Sequence, residues 1–256
     1  MAVVMPLLLG LVIFRLWNGE ILHSMLHTDT FTLPLPGKIA DIFLDIRESM
    51  QANALSTMIV AFAGLAAGSL LGYLVAVMAS IFPKAGKGGL SVIGAFASVP
   101  VVALAPVINN LTKDVSRDAN LRSMVAKIIV VSLIAAANMT LNAYRGLTEL
   151  KPFSEDLMAT YAAKKRVVLF KLRIPNSLPY IFTALKVSVP ASIMTAIVSE
   201  YFAEYITGVG RQIRENIVLA QYSTAWAYIT MACILGIGSY AVLMGVRAVV
   251  LRKYNG

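Results

Sequence analysis

The sequence predicts an all-α integral membrane protein of about six transmembrane helices. Three observations carry that reading. Of 256 residues, 58% are hydrophobic and only 14% are charged, whereas soluble domains carry about a quarter charged residues. The mean hydropathy is +0.76. The apolar residues fall into long runs, and a spanning helix needs roughly 20 of them at 1.5 Å rise each. This length holds about six such spans and their loops, with nothing left for a soluble domain. Disorder, a disulfide scaffold and a nucleic-acid-binding module are excluded. The one cysteine, Cys233, lies in an apolar run without an intrachain partner.

Residues 1–17 are short for a span but lack the basic region and cleavage site of a signal peptide, so a first, shortened transmembrane helix is expected there. Residues 18–53 are polar, broken by Pro34-Leu35-Pro36-Gly37. An amphipathic stretch over 38–50 is expected to lie on the outer membrane surface. The second span, 54–82, carries Gly64, Gly68 and Gly72 on one face, a pattern for close helix packing in lipid. The 83–89 segment is Gly- and Lys-rich yet lacks the glycine and hydroxyl spacing of a phosphate loop; it predicts a short basic turn. The third span, 91–111, contains Pro100 and Pro106, and the fourth, 124–144, contains Asn138 and Asn142 one turn apart. Helix–helix hydrogen bonding is the plainer reading of these amides, and substrate contact the other. The fifth and sixth spans are 178–202 and 224–250. No 20–50-residue period repeats, so the whole chain, 1–256, is one domain.

Orientation follows from charge. With the N-terminus inside, the inner segments hold 13 of the 22 Lys and Arg but three of the 13 acids, giving +10 inside against −1 outside. That is the positive-inside bias, and it accounts for the net +9 without nucleic acid. Both termini are expected in the cytoplasm.

Between spans four and five lies the most polar part of the second half. Glu155 and Asp156 open a helix where the macrodipole favours acids. A basic amphipathic piece follows and is expected to end at Pro175, with Pro179 starting the next helix. This segment resembles the cytoplasmic EAA loop of the permease subunits of bacterial ABC importers. Counted back from Leu172-Arg173-Ile174-Pro175, the motif's Glu falls on Asp156, its two Ala on Leu157 and Met158, and its Gly on Ala162. The Glu and Gly are replaced and the spacing is kept. Pro100-Val101-Val102-Ala103-Leu104-Ala105-Pro106 is similar to the Pro-x-x-Ala-Leu-x-Pro of the nitrate/sulfonate/taurine branch. So are Ser199-Glu200 with Gly208-Val209-Gly210, and Leu33-Pro34-Leu35-Pro36.

The resemblance covers roughly residues 30–250 and implies a type I importer permease fold in the bacterial cytoplasmic membrane, with a coupling helix in the 155–175 loop. It also implies that the chain is a transport subunit, not an enzyme. It implies two ATP-binding cassette subunits that bind ATP and Mg, a second permease copy or paralogue, and an extracytoplasmic substrate-binding protein. No cofactor is expected in the chain itself. Asp156, Leu157, Thr160, Ala162 and Ala163 are the residues expected to meet the ATPase. Swinging an equilibrium from 1:99 to 99:1 takes ~5.5 kcal/mol, so a loop buried over several residues is expected. The implied cargo is a small organic nutrient: a sulfonate or taurine, nitrate, or a riboflavin or thiamine precursor.

Glu200 and Glu204 sit at i and i+4 at the outer end of the fifth span. Ionisable groups there are expensive unless paired or facing water. They are candidates for a gate with Asn138, Asn142, Pro100 and Pro106; the alternative is pairing with Arg211, Arg214 or interfacial water. Two carboxylates near the outer mouth favour a neutral or zwitterionic cargo. His23 and His27 have no third ligand nearby, so no metal site is expected. A stand-alone secondary transporter or channel would favour internal repeats and a midplane ion site. A membrane enzyme would need a convergent nucleophile and base. The sequence offers neither.

Overall fold

The computed structural model describes residues 4–96, 98–203 and 206–251. Their regular structure is helical: α1 (Val4–Asn18), α2 (Ile21–Leu26), α3 (Pro36–Asp45), α4 (Arg47–Ile81), α5 (Pro83–Phe96) and α6 (Val101–Leu111). After these come α7 (Ala119–Thr148), α8 (Ser154–Thr160), α9 (Lys165–Val168), a π turn (Leu169–Arg173), α10 (Ile174–Phe202), α11 (Val209–Val218) and α12 (Tyr222–Leu251). Four stretches are long and apolar enough to cross a membrane: α4, α7, the continuous Lys165–Phe202 helix and α12. The apolar helices α1 and α6, 15 and 11 residues long, are shorter than the ~20 residues that a crossing needs.

Three details differ from the sequence reading. The 83–89 segment is not a turn: it begins α5, with Pro83 supplying the fixed φ suited to a first helical position. Gly86 comes so close to Ala79 that a Cβ there would collide with the Ala79 carbonyl oxygen. Helix α5 stops before Pro100, which caps α6 in extended conformation, so residues 91–111 form two helices and not one. Nor does the chain break at Pro175 and Pro179. The helix that enters the membrane starts at Lys165, and the wide π turn sits just ahead of Pro175. A proline ring clashes with the carbonyl four residues back in a regular helix, and widening the turn relieves that clash.

The core is a seam between α4 and α7. Gly64, Gly68 and Gly72 are buried against Val131, Ser132 and Ala136, so the packing reading of these glycines is correct. A Cβ on Gly64 would lie 2.6 Å from the Val131 Cβ, and one on Gly68 or Gly72 would strike the backbone of α7. The Thr140 hydroxyl crosses the seam to the Gly72 carbonyl at 3.0 Å. Helix α10 completes the layer through small residues: Ala196 beside Val60 and Val131, and Ala184 beside Ala76, Met139 and Ala143. In lipid, where apolar surface gains little from burial, small residues allow the close backbone approach that holds helices together.

At one end of the molecule, both tryptophans hold the 32–34 segment. Trp17 donates to the Pro34 carbonyl (3.0 Å) and Trp226 to the Thr32 carbonyl (3.1 Å), with ring centroids 5.8 Å apart. Helix α3 does not simply lie on a surface, because Ile39 packs into a buried cluster with Ala227 and Tyr228. His23 is buried, and its Nε2–H donates to the Leu33 carbonyl at 2.6 Å.

Replacing Gly68 by Leu is expected to force α4 off α7 and destabilise the chain by about 1–3 kcal/mol. Gly94, which has nothing near its would-be Cβ, is the control, and Gly94→Ala is expected to be neutral. Thermal denaturation of purified protein in mild detergent reads the difference.

Candidate functional site

One end of the bundle is built around the short helix α8. Phe153 enters it with a φ of +63° and Ala162 leaves it with a φ of +48°. The left-handed turn at Ala162 stands at the position where the EAA motif carries glycine, a residue that adopts this conformation without strain. Alanine is the smallest residue with a Cβ. The Ala163 amide closes the turn onto the Met158 carbonyl at 3.0 Å. Of the coupling nominees, Asp156, Leu157, Thr160 and Ala162 are exposed and Ala163 is half-buried. Thr160 turns its hydroxyl back to the Leu157 carbonyl (2.7 Å).

Two residues that cap the ends of this helix escaped the sequence reading. Phe153 and Tyr161 are 81% and 78% exposed and stand four residues either side of Leu157. Their i, i+4, i+8 spacing is visible in the sequence and lines up one apolar helix face.

Two side chains of the following helix brace this end: Arg173 holds α8, and Asn176 holds the end of α7. Arg173 pairs with Glu155 (2.7 Å) and donates from Nη1 to the Ser80 carbonyl at the end of α4 (3.1 Å). Asn176 donates to the Gly146 and Glu149 carbonyls at the end of α7 (2.8 and 3.1 Å). Helix C-termini leave carbonyls without intrahelical partners, and these two residues satisfy them. A cationic side chain also suits the negative end of the helix dipole. The three long helices are thereby stitched to the loop.

At the opposite end, Glu200 is fully buried. It pairs with Lys127 at 3.4 Å and accepts from the Thr57 hydroxyl at 3.1 and 3.0 Å and from the Gly210 amide at 3.0 Å. Lys127 donates to the Thr207 carbonyl (3.1 Å), the Val209 amide to Thr57 Oγ1 (3.0 Å) and the Gly208 amide to Asn53 Oδ1 (3.0 Å). Gly208 has a φ of +122°, and a Cβ there would collide with the Glu200 carboxylate. A Cβ on Gly210 would strike the Ile197 carbonyl. The acidic residue and the two glycines of the branch-like pattern are thus one unit: a turn clamped on a buried carboxylate.

The ion-pair partner of Glu200 is therefore Lys127, and the expected Arg211 or Arg214 does not fill that role; Arg211 pairs with Glu215 at 3.3 Å. Glu200 faces protein on every side, so it lends no weight to a neutral or zwitterionic cargo. Glu204 lies outside the described residues. A cavity of about 380 Å3 of mixed lining opens beside Lys127, bounded also by Ser56, Asp118, Asn120, Leu121, Met124 and Thr207.

Asn138 and Asn142 are half-buried, and the Asn142 amide donates to the Asn138 carbonyl at 2.9 Å. That bond runs along one helix and does not cross to another. Pro100 is exposed and Pro106 half-buried within α6; between them Ala105 packs against Ala126 and Val130 of α7.

The family model described as "Binding-protein-dependent transport system inner membrane component" matches residues 68–255. The chain is similar to the formylaminopyrimidine transport permease protein ThiX of Halalkalibacterium halodurans, with 26% identity over 247 residues, covering 96% of this chain and 94% of that protein. Among solved structures it resembles the MetNI methionine ABC transporter in an inward-facing conformation (TM-score 0.57, 15% identity, 78% of this chain and 95% of that one). It also resembles an amino acid ABC transporter crystallised with histidines (TM-score 0.65, 16% identity, 82% and 96%). These two likenesses establish the fold.

Cutting one half of the buried ion pair is expected to cost more than removing both charges. Lys127→Met alone, which leaves an unpaired buried carboxylate, should destabilise by ~3–5 kcal/mol. Lys127→Met with Glu200→Gln should recover a large part of that loss, as read by a double-mutant cycle on thermal unfolding in detergent.

Proposed function

From the premise that the chain belongs to the family of binding-protein-dependent transport system inner membrane components, the permeases of ABC importers, we propose how it couples and what it carries. The observation that carries the coupling proposal is the exposed apolar face Phe153–Leu157–Tyr161 on a helix braced by Arg173. Exposed apolar patches mark interaction surfaces. This one inserts into a groove of an ATP-binding cassette subunit, with Asp156, Thr160, Ala162 and Ala163 around it. Two such subunits serve the chain and a second permease copy or paralogue, and an extracytoplasmic binding protein delivers the cargo. ATP and Mg are bound by the partner subunits, where hydrolysis takes place.

The braces define the lever. A displacement of α8 reaches α4 through the Arg173–Ser80 contact and α7 through Asn176. Closure of the ATPase pair draws two such loops together, and the helices behind them open the path outward; hydrolysis reverses the movement. Binding free energy moves such an equilibrium only by its difference between the two states. The charge asymmetry of the loops supports a cytoplasmic position for 165–173 and for both chain termini.

The cargo is a small heterocyclic nutrient of the thiamine-precursor class, a reading supported by the relative named for formylaminopyrimidine transport. Asn138, Asn142, Pro100 and Pro106 belong to the helices that line the path.

Ala162→Trp is expected to abolish uptake of labelled formylaminopyrimidine and to strip a copurifying nucleotide-binding subunit from tagged chain, at unchanged chain level in the membrane. Ala162→Gly, which removes the strain at φ +48°, should retain both. A chain that purifies alone and still moves solute in vesicles would overturn the coupling reading. Uptake that ignores an excess of formylaminopyrimidine would overturn the cargo assignment alone.

A further inference from the structure

A cavity of about 510 Å3 lies between the end of α4 and the start of the Lys165–Phe202 helix. Its size falls within the ~300–1,000 Å3 of small-molecule sites. One part of its lining is cationic, with Lys165, Arg166 and Arg173; another is aliphatic, with Ile81, Val168 and Leu169. Among the described residues, the carboxylate that meets these three cations is Glu155, on Arg173. Arg166 stands 5.8 Å from the Phe170 ring centroid, which leaves its guanidinium edges open to an anion.

Arg173 adds a second observation. Nη1 and Nη2 are taken by the Ser80 carbonyl and Glu155, but the Nε–H is buried without an acceptor. An unsatisfied buried donor, above all a charged one, is costly. An anionic oxygen is the group that would satisfy it.

The position of the cavity narrows the choice of anion. It sits where a membrane-spanning helix ends, the depth of the headgroup layer, with Phe82 and Phe170 more than half exposed nearby. A soluble anion needs cations alone. A lining that combines cations with aliphatic side chains matches a molecule with a phosphate and hydrocarbon chains. Basic pockets beside membrane helices on the cytoplasmic side take such headgroups.

We propose that this cavity binds the phosphodiester headgroup of an anionic phospholipid of the inner leaflet, with Lys165, Arg166 and Arg173 supplying the positive charge. The proposal rests on the reading that the 165–173 segment faces the cytoplasm. The bound lipid joins the end of α4 to the segment that braces α8, so the lever is completed by a molecule of the bilayer.

The test is native mass spectrometry of the chain assembled with its ATPase subunits, released from nanodiscs of phosphatidylcholine and phosphatidylglycerol. Wild type is expected to retain phosphatidylglycerol over phosphatidylcholine. Lys165→Gln with Arg166→Gln should lower that retention by about tenfold or more, given what each cation contributes near an anionic surface. Lys171→Gln removes an exposed cation outside the cavity lining and should leave retention unchanged. If the double variant fails to assemble, Arg166→Gln alone should show a loss of roughly threefold or more.

Equal losses from Lys171→Gln and from the cavity variants would overturn the site in favour of diffuse surface attraction. Retention untouched by the cavity variants, or lipid stripped by inorganic phosphate, would also overturn it. Labelling of Lys171→Cys in inside-out against right-side-out vesicles, in a Cys233→Ser background, reads the sidedness separately. Outside labelling overturns the topology. Inside labelling with no lipid preference overturns the lipid site alone.

Discussion

A carboxylate buried at the end of a membrane bundle must be neutralised, and most of the architecture at that end follows from how Glu200 meets this demand. Taking a charge out of water costs several kcal/mol even after relaxation. The return comes only from a close counter-charge and hydrogen bonds to the remaining lone pairs. Lys127 supplies the first, and Thr57 and the Gly210 amide supply the second. These partners sit on α7, α4 and the start of α11, so one side chain of α10 fixes the relation of four helices. The turn that brings Gly210 into place needs φ +122° at Gly208 and has no room for a Cβ. Apolar replacement of a buried ion pair is often neutral for stability, but nothing apolar would define the turn's register against α4 and α7 as these directional bonds do.

The two ends of the bundle are built on different physics. At the Glu200 end, a desolvated charge locks α4, α7 and α10 together. Along the middle, glycine and alanine let backbones touch, and dispersion between close surfaces supplies the cohesion. At the α8 end, half-buried side chains cap helix C-termini: Arg173 on α4 and Asn176 on α7. Contacts of that kind are partly hydrated and individually modest, which suits an end that has to shift. Under the proposed coupling, the Glu200 end is the pivot and the α8 end the part that moves.

How much of this was legible in the sequence depends on the range of the interaction. Hydropathy alone located α4, α7, α10 and α12, because burial in lipid is a property of each run by itself. The glycine face of α4 was readable for the same reason: its four-residue spacing is local. The 83–89 segment was misread because Gly and Lys richness argues for a turn when taken alone. The decisive facts, the approach of Gly86 to Ala79 and the break at Pro100, concern how helices meet. Phe153 and Tyr161 were within reach of a periodicity argument, since they share a face with Leu157.

The partner of Glu200 was not within reach. Lys127 is 73 residues away in the chain, and before folding it reads as one more basic residue at a loop edge, while Arg211 and Arg214 are closer and as well charged. By itself, the sequence determined the membrane as solvent, the long helices, the charge asymmetry and the spacing of the loop that carries the coupling motif. All of these rest on composition and on periods shorter than a few turns. Tertiary structure alone decided which lysine neutralises Glu200, that the 91–111 run is broken, that the helix behind α8 is continuous through Pro175, and that Arg173 and Asn176 bridge to neighbouring helices. The first and last of these depend on distances between segments far apart in the chain, and those distances exist only once the helices have packed.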